Sequence, residues 1–231
     1  MSIAEGAGKA RRPFRSGRPG SGPAGERPVP RWLAERALPG RRLFIAVPLP
    51  APALEAVSEL VRTVRAAVAV PGGHEVRWVR LEGLHLTLRF LGPTLDERLP
   101  ALREVLAEAA RETSPFHLEL AGAGAFPGPI RPRVLWLGVG EGADRVTALA
   151  GTVGELLASA GWPADERPYR PHLSLARADG IRAGTATAAA LIEAAATFRQ
   201  AWTVDRVTLF ESHTGDGAAR YEPLAEALLG G

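Results

Sequence analysis

His85-Leu86-Thr87-Leu88-Arg89-Phe90-Leu91-Gly92 and His172-Leu173-Ser174-Leu175-Ala176-Arg177 are two versions of one pattern, 87 residues apart. Each sets a histidine and a hydroxyl residue at i and i+2, with leucines between and after. A β-strand sends successive side chains to opposite faces, so His85 and Thr87 share one face while Leu86 and Leu88 share the other. His172 and Ser174 separate from Leu173 and Leu175 in the same way. By the same parity Arg89, four residues beyond His85, joins the His85 face and can reach the cleft. Arg177 follows the second strand and can reach a phosphate from its end. The chain thus presents an imidazole and a hydroxyl twice, each pair on a strand whose other face is apolar.

Working outward, Leu43-Phe44-Ile45-Ala46-Val47 is an apolar strand stopped by Pro48 and Pro50. A helix is predicted over 52–69, where Leu54, Val57, Leu60, Val61, Val64 and Val68 fall at helical spacing. A short strand over 76–79 precedes Gly83, which turns the chain into the first motif strand, 85–91. An amphipathic helix over 97–112 tolerates Pro100 in its first turn. Strands over 116–120 and 134–139, a helix over 143–160 closed by Gly161, and a proline-rich stretch over 163–171 lead to the second motif strand, 172–176. A helix over 185–197, a strand over 202–210 and a hairpin strand over 218–222 complete the order. Similar elements surround each motif, which predicts two related lobes that each give one motif to a shared cleft. Alternating strands and helices also fit a doubly wound parallel sheet. No glycine-rich phosphate loop follows any strand, so the antiparallel α+β class is favoured.

The 231 residues are 46% hydrophobic and 23% charged, as in ordinary globular proteins. The absence of cysteine excludes disulfides, thiolate nucleophiles and Cys-ligated zinc. No apolar run approaches the ~18–20 residues of a membrane span, and the N-terminus lacks the apolar core of a secretory signal, so a cytoplasmic protein without membrane association is expected. The net charge of +3 conceals an asymmetry: residues 1–42 carry ten Lys/Arg against Glu5, Glu26 and Glu35, whereas the remainder has a net charge of −4. Residues 1–40, dense in Arg, Pro, Gly and Ser, are expected to be a disordered basic tail ahead of a folded domain over 41–231. Such a tail attracts nucleic acid nonspecifically, and it equally fits a solubilising leader.

Histidine titrates near neutrality, so a pair can serve as general base and general acid in one turnover. Phosphodiester hydrolysis needs both, and hydroxyl and cationic donors stabilise charge gathering on the non-bridging oxygens. His85 and His172 are therefore the candidate acid–base pair, with Thr87, Ser174, Arg89 and Arg177 as candidate phosphate contacts. His117 is expected on a solvated strand face, His74 after a Pro-Gly-Gly turn and His213 in a hairpin connection. No His/carboxylate cluster has metal-ligand spacing, and no Gly-x-Ser-x-Gly elbow marks a serine hydrolase.

These motifs resemble the paired His-x-Thr/Ser-x signatures of the two-histidine (2H) phosphoesterases, and specifically the bacterial and archaeal RNA 2′,3′-cyclic phosphodiesterase, or 2′-5′ RNA ligase, branch. Arg42 through Val47, Trp78-Val79, His85 through Gly92, Arg131 through Gly138, Tyr169 through Arg177 and Arg220 through Leu224 carry the resemblance in order. It implies a two-lobed α+β fold with the active site in a groove between antiparallel sheets with outer helices. It further implies cofactor- and metal-free hydrolysis of RNA 2′,3′-cyclic phosphate ends, or of small cyclic nucleotides, to 2′-phosphates, with weak reversible 2′-5′ joining, by a protein expected to be monomeric. By the same resemblance His172 accepts the proton of water, His85 donates one to the departing 3′-oxygen, and Arg177 occupies the position of the family's arginine after the second motif. Ser174 stands where threonine is commoner and preserves the hydroxyl; the tail is not part of the family pattern. Two further readings stand beside this one: an RNA-end binding module whose role is not turnover, and a 2H enzyme acting on another cyclic phosphate or a 2′-5′ oligonucleotide.

Overall fold

A five-residue run of buried apolar side chains, Leu43–Val47, forms the middle of the first strand, β1 (Arg41–Pro48), in a computed structural model that describes residues 39–68, 76–213 and 219–230. The basic segment up to residue 38 and His74 lie outside the described residues. After β1 come α1 (Ala51–Ala67), β2 (Val76–Trp78), β3 (His85–Thr94), α2 (Leu99–Arg111), β4 (Phe116–Phe126), β5 (Val134–Val139), α3 (Ala143–Ser159), β6 (His172–Ala178), α4 (Ile181–Ala194), β7 (Arg199–Val204), β8 (Arg206–His213) and β9 (Arg220–Leu228). The strands form two antiparallel sheets, ordered β3-β1-β8-β9 and β2-β6-β5-β4-β7. This is the expected α+β architecture, with one motif strand in each sheet.

The two lobes are not the two halves of the chain. Helices α2 and α3 pack together on the first sheet, and α1 and α4 pack together on the second. Helix α1 therefore leaves β1 to cover the other sheet, and α3 leaves β5 to cover the sheet of β3. Apolar faces at helical spacing drive both placements: Val57, Leu60, Val61 and Val64 on α1, and Val146, Leu149, Val153 and Leu157 on α3, are buried.

Several boundaries differ from the sequence expectation: β4, expected over 116–120, runs to Phe126, β6 runs to Ala178 rather than 176, and α4 spans Ile181–Ala194 rather than 185–197. The strand expected over 202–210 is two strands, β7 and β8, in different sheets, because the chain changes sheet at Asp205. Val204 and Val207 are both buried, one in each sheet, and the Asp205 carbonyl accepts the N–H of Leu229 at 2.8 Å. Strand β3 continues through Gly92-Pro93 to Thr94; it is an edge strand, where the missing proline N–H faces no partner. Strand β9 reaches Leu228, well beyond the expected hairpin strand over 218–222.

The register also breaks at the fourth residue of each motif, and on β3 once more at Leu91, between Phe90 opposite Phe44 and Gly92 opposite Leu43. Ala46 pairs with Thr87 but Ile45 with Arg89, so Leu88 is an extra residue; Trp136 pairs with Ser174 but Leu135 with Ala176, so Leu175 is extra. Each motif strand thus carries a β-bulge at its fourth residue.

Candidate active site

The bulges reassign the faces. Past the extra leucine the alternation inverts, so Phe90, paired with Phe44, takes the His85 and Thr87 face, and Arg89, paired with Ile45, takes the opposite one. On β6 the same slip puts Arg177 on the face of His172 and Ser174, while Ala176 turns to the core. Over six residues the two strands have one burial sequence, half-buried, buried, half-buried, buried, buried, exposed.

This corrects the placement of Arg89, which simple parity put beside His85. Its side chain is 9% exposed, its Nη1 lies 2.5 Å from Asp165 Oδ2, and its Nη2 donates to the Pro163 carbonyl. Nε has no partner. Arg89 borders the groove, but its guanidinium ties β3 to the segment after α3.

The groove between the sheets has a volume of about 880 Å³. His85, Thr87, Phe90 and Tyr221 line it from the first sheet, and Ser174 and Arg177 from the second. Strands β3 and β6 approach each other across it. His172 shares the Ser174 and Arg177 face of β6 without itself lining this volume. The first sheet is strongly curled: β3 and β9 are separated by two strands, about 14 Å in a flat sheet, yet the Tyr221 ring stands edge-on to His85 at 4.9 Å.

Both histidines are held by the same device. His85 Nδ1 lies 2.7 Å from the carbonyl of Gly83, and His172 Nδ1 lies 2.6 Å from the carbonyl of Arg170, each two residues upstream. A carbonyl only accepts, so Nδ1 carries the hydrogen in both rings and Nε2 is left as the free nitrogen. Glycine is needed at 83, since a Cβ there would sit 2.6 Å from Cδ2 of Tyr221. His85 stacks on Phe44 at 4.5 Å, and His172 meets Phe126 edge-on at 5.0 Å. Burial holds the His85 imidazole down to about 4, with the Gly83 hydrogen bond opposing this weakly. Burial also pushes the Tyr221 phenol up, against the opposing pull of Arg177.

An imidazole nitrogen with a fixed tautomer, a hydroxyl two residues on and a strand-end arginine form an arrangement suited to moving protons at a phosphate. The sequence reading missed Phe90 and Tyr221 as groove residues. Plain alternation without the bulge sends Phe90 to the other face, and the residue types around Tyr221 mark it only as part of a segment that resembles the family. His117 is exposed, as expected. His213 instead ends β8, where Glu211, His213 and Glu222 bring ligand atoms within 4.8 Å of one another, a cluster hidden from sequence because Glu222 arrives by cross-strand pairing. Glu211 is engaged with Arg41 at 2.7 Å and His213 with Glu222 at 3.1 Å, which knits β8 to its neighbours.

Over residues 49–216 the chain matches the family model of the 2′-5′ RNA ligase superfamily. It is 39% identical over 110 residues to the RNA 2′,3′-cyclic phosphodiesterase of Aeropyrum pernix, covering 48% of this chain and 61% of that protein. It is 33% identical over 189 residues to the RNA 2′,3′-cyclic phosphodiesterase of Escherichia coli, covering 82% of this chain and 97% of that one. The chain spans 41–61% of the length of the RNA 2′,3′-cyclic phosphodiesterases of Aeropyrum pernix, Geobacillus stearothermophilus and Aquifex aeolicus that it matches. The crystal structure of E. coli LigT complexed with NADP+ superposes with a TM-score of 0.61 at 31% identity, covering 83% of this chain and 99% of that one.

Proposed function

This chain belongs to the 2′-5′ RNA ligase superfamily of two-histidine phosphoesterases, and from that premise we propose that it hydrolyses 2′,3′-cyclic phosphate ends of RNA, or small cyclic nucleotides, to 2′-phosphates. His172 takes a proton from water as the oxygen attacks phosphorus. The bond from phosphorus to the 3′-oxygen breaks, and His85 gives that oxygen its proton. Thr87, Ser174 and Arg177 donate to the non-bridging oxygens, where charge gathers. Arg89 is left out of this set, its guanidinium being occupied by Pro163 and Asp165. The weaker 2′-5′ joining is the same displacement with an RNA 5′-hydroxyl in place of water: His172 takes the 5′-hydroxyl proton, its oxygen bonds to phosphorus, and the departing 3′-oxygen receives the proton of His85. We further propose a cytoplasmic monomer, in which one chain carries both motifs; separately, no helix among the described residues is long and apolar enough to cross a membrane.

The observation that carries the proposal is the twofold device itself: two bulged strands, each with Nδ1–H locked on the carbonyl two residues back. The test is hydrolysis of a 2′,3′-cyclic phosphate RNA end and of 2′,3′-cyclic AMP in EDTA. His85→Ala and His172→Ala should each lower kcat by about 10²–10⁴-fold. Full activity in either variant, or an absolute need for added metal, would sink it.

A further inference from the structure

We propose that Arg89 is a positioning residue for His172: it fixes the segment that supplies the Arg170 carbonyl, and through that carbonyl the ring of the proton acceptor. The inference rests on the reaction proposed above and gives Arg89 a part in it without contact with substrate.

The two imidazole locks are alike at the ring and unlike behind it. His85 takes its carbonyl from Gly83, which sits in a 3-10 turn, Leu81–Gly83; the N–H groups of Gly83 and Leu84 close that turn on the carbonyls of Arg80 and Leu81. His172 takes its carbonyl from Arg170, which belongs to no turn. Residues 163–171 carry the chain from α3, on the first sheet, to β6 in the second. Between the Trp162 N–H, which bonds the Leu157 carbonyl, and β6, no backbone hydrogen bond ties this stretch to the rest of the described chain. One carbonyl is held by its own turn. The other needs an outside anchor.

Arg89 is that anchor. The bulge at Leu88 turns it away from His85, and its guanidinium takes two acceptors of the stretch at once, the Pro163 carbonyl at Nη2 and the Asp165 carboxylate at Nη1. A planar fork with two partners sets orientation as well as place. Arg89 is 9% exposed and Asp165 63%, so the arginine is the fixed member and the stretch is drawn to it. Tyr169 also packs against the core, but its buried hydroxyl has no partner, and apolar contact alone gives no direction. Pro163, Pro168 and Pro171 fix three of the nine φ angles, and the stretch contains no glycine, so a displacement at 165 is passed on to 170. With the Arg170 carbonyl displaced, the His172 ring loses the partner that keeps hydrogen on Nδ1. Both tautomers then form, and a smaller share of the rings offers a free Nε2 to water.

Imidazole nitrogen NMR at about pH 8 reads the tautomer of each ring in wild type, Arg89→Met, Arg89→Lys and Asp165→Ala, and turnover of 2′,3′-cyclic AMP by the same proteins reads the reaction. In Arg89→Met, His172 should pass from Nδ1–H alone to a mixture with Nε2–H while His85 keeps Nδ1–H. Its kcat should fall about ten- to hundredfold with KM within about threefold. Arg89→Lys, which restores the charge opposite Asp165, should recover part of both readings. Asp165→Ala should shift both in the same direction by less, and it carries the test if Arg89→Met does not fold. A His172 ring that stays as in wild type, two rings altered alike, or an altered His172 with undiminished kcat overturns the inference. A wild type that turns nothing over, but whose His172 tautomer still depends on Arg89, refutes the reaction and leaves the positioning standing. Normal turnover in wild type, with His172 and kcat unchanged in Arg89→Met, does the opposite.

Discussion

His85 is neutral in the free groove, because burial lowers it to about 4. In that state its Nε2 is an acceptor, so the donor role assigned to it depends on substrate. A phosphate anion beside Nε2 favours the imidazolium and draws a proton in with the ligand. The same burial has a measurable effect on stability. An unfolded imidazole binds its proton near 6.5 and the folded one only near 4, so between those values the unfolded chain holds more protons. Stability should therefore fall as pH drops from 6.5 to 4, by about 3 kcal/mol, and the His85 contribution should be level below that. Urea denaturation at pH 7 and pH 4 tests this: His85→Phe should remove most of the difference, and an unchanged difference would refute it. The alternation of His85, Thr87 and the leucines was legible in the sequence. The lock on each ring was not, because Gly83 and Arg170 contribute only backbone carbonyls, which every residue type supplies.

At the scale of the element, the residue inserted at the fourth position of each motif decides which side chains meet the groove. His-Leu-Thr-Leu-Arg-Phe reads as plain alternation, and nothing in its residue types announces the slip at Leu88. Only the pairing with β1 reveals it, through Ile45 opposite Arg89. The division of 202–210 at Asp205 was hidden for a similar reason, since both pieces are strands and only their sheets differ. The buried Arg89 yields an asymmetric expectation. Asp165→Ala leaves a guanidinium that is 9% exposed without its counter-charge, and should destabilise the protein by about 2–3 kcal/mol. Arg89→Met removes that charge together with its unpartnered Nε and frees Asp165 to water, and should cost less than about 1 kcal/mol. Guanidinium denaturation of both variants checks the order; an Arg89→Met that costs more would reverse this account of the pair.

Across the whole molecule, charge and fold separate. The basic residues that make the chain cationic lie in the first 42, whereas the rest is net negative. We propose that residues 1–40 act apart from the folded domain. Deleting residues 1–38 should leave kcat/KM for 2′,3′-cyclic AMP within about twofold of the intact chain, while flattening the salt dependence of binding to a longer RNA. Loss of mononucleotide turnover would place that segment in the fold instead, and an unchanged salt slope would leave it no part in RNA binding. The two-lobed α+β class was legible because the motifs recur with similar elements around them. The exchange of helices was not, because an amphipathic helix such as α1 does not encode which of two sheets it covers.

That exchange has a mechanical consequence. Taking β1, β3, α2, α3, β8 and β9 as one lobe and the remaining elements as the other, the described chain passes between lobes after β1, β2, α2, β5, α3 and β7. Six tethers distributed in this way leave no single hinge about which the lobes can swing. The gap between the two imidazoles is then a gauge set by the weave of the chain, cut to one size before any ligand arrives. Free and product-bound forms should superpose across the groove, and selection among substrates should work by what fits that gauge.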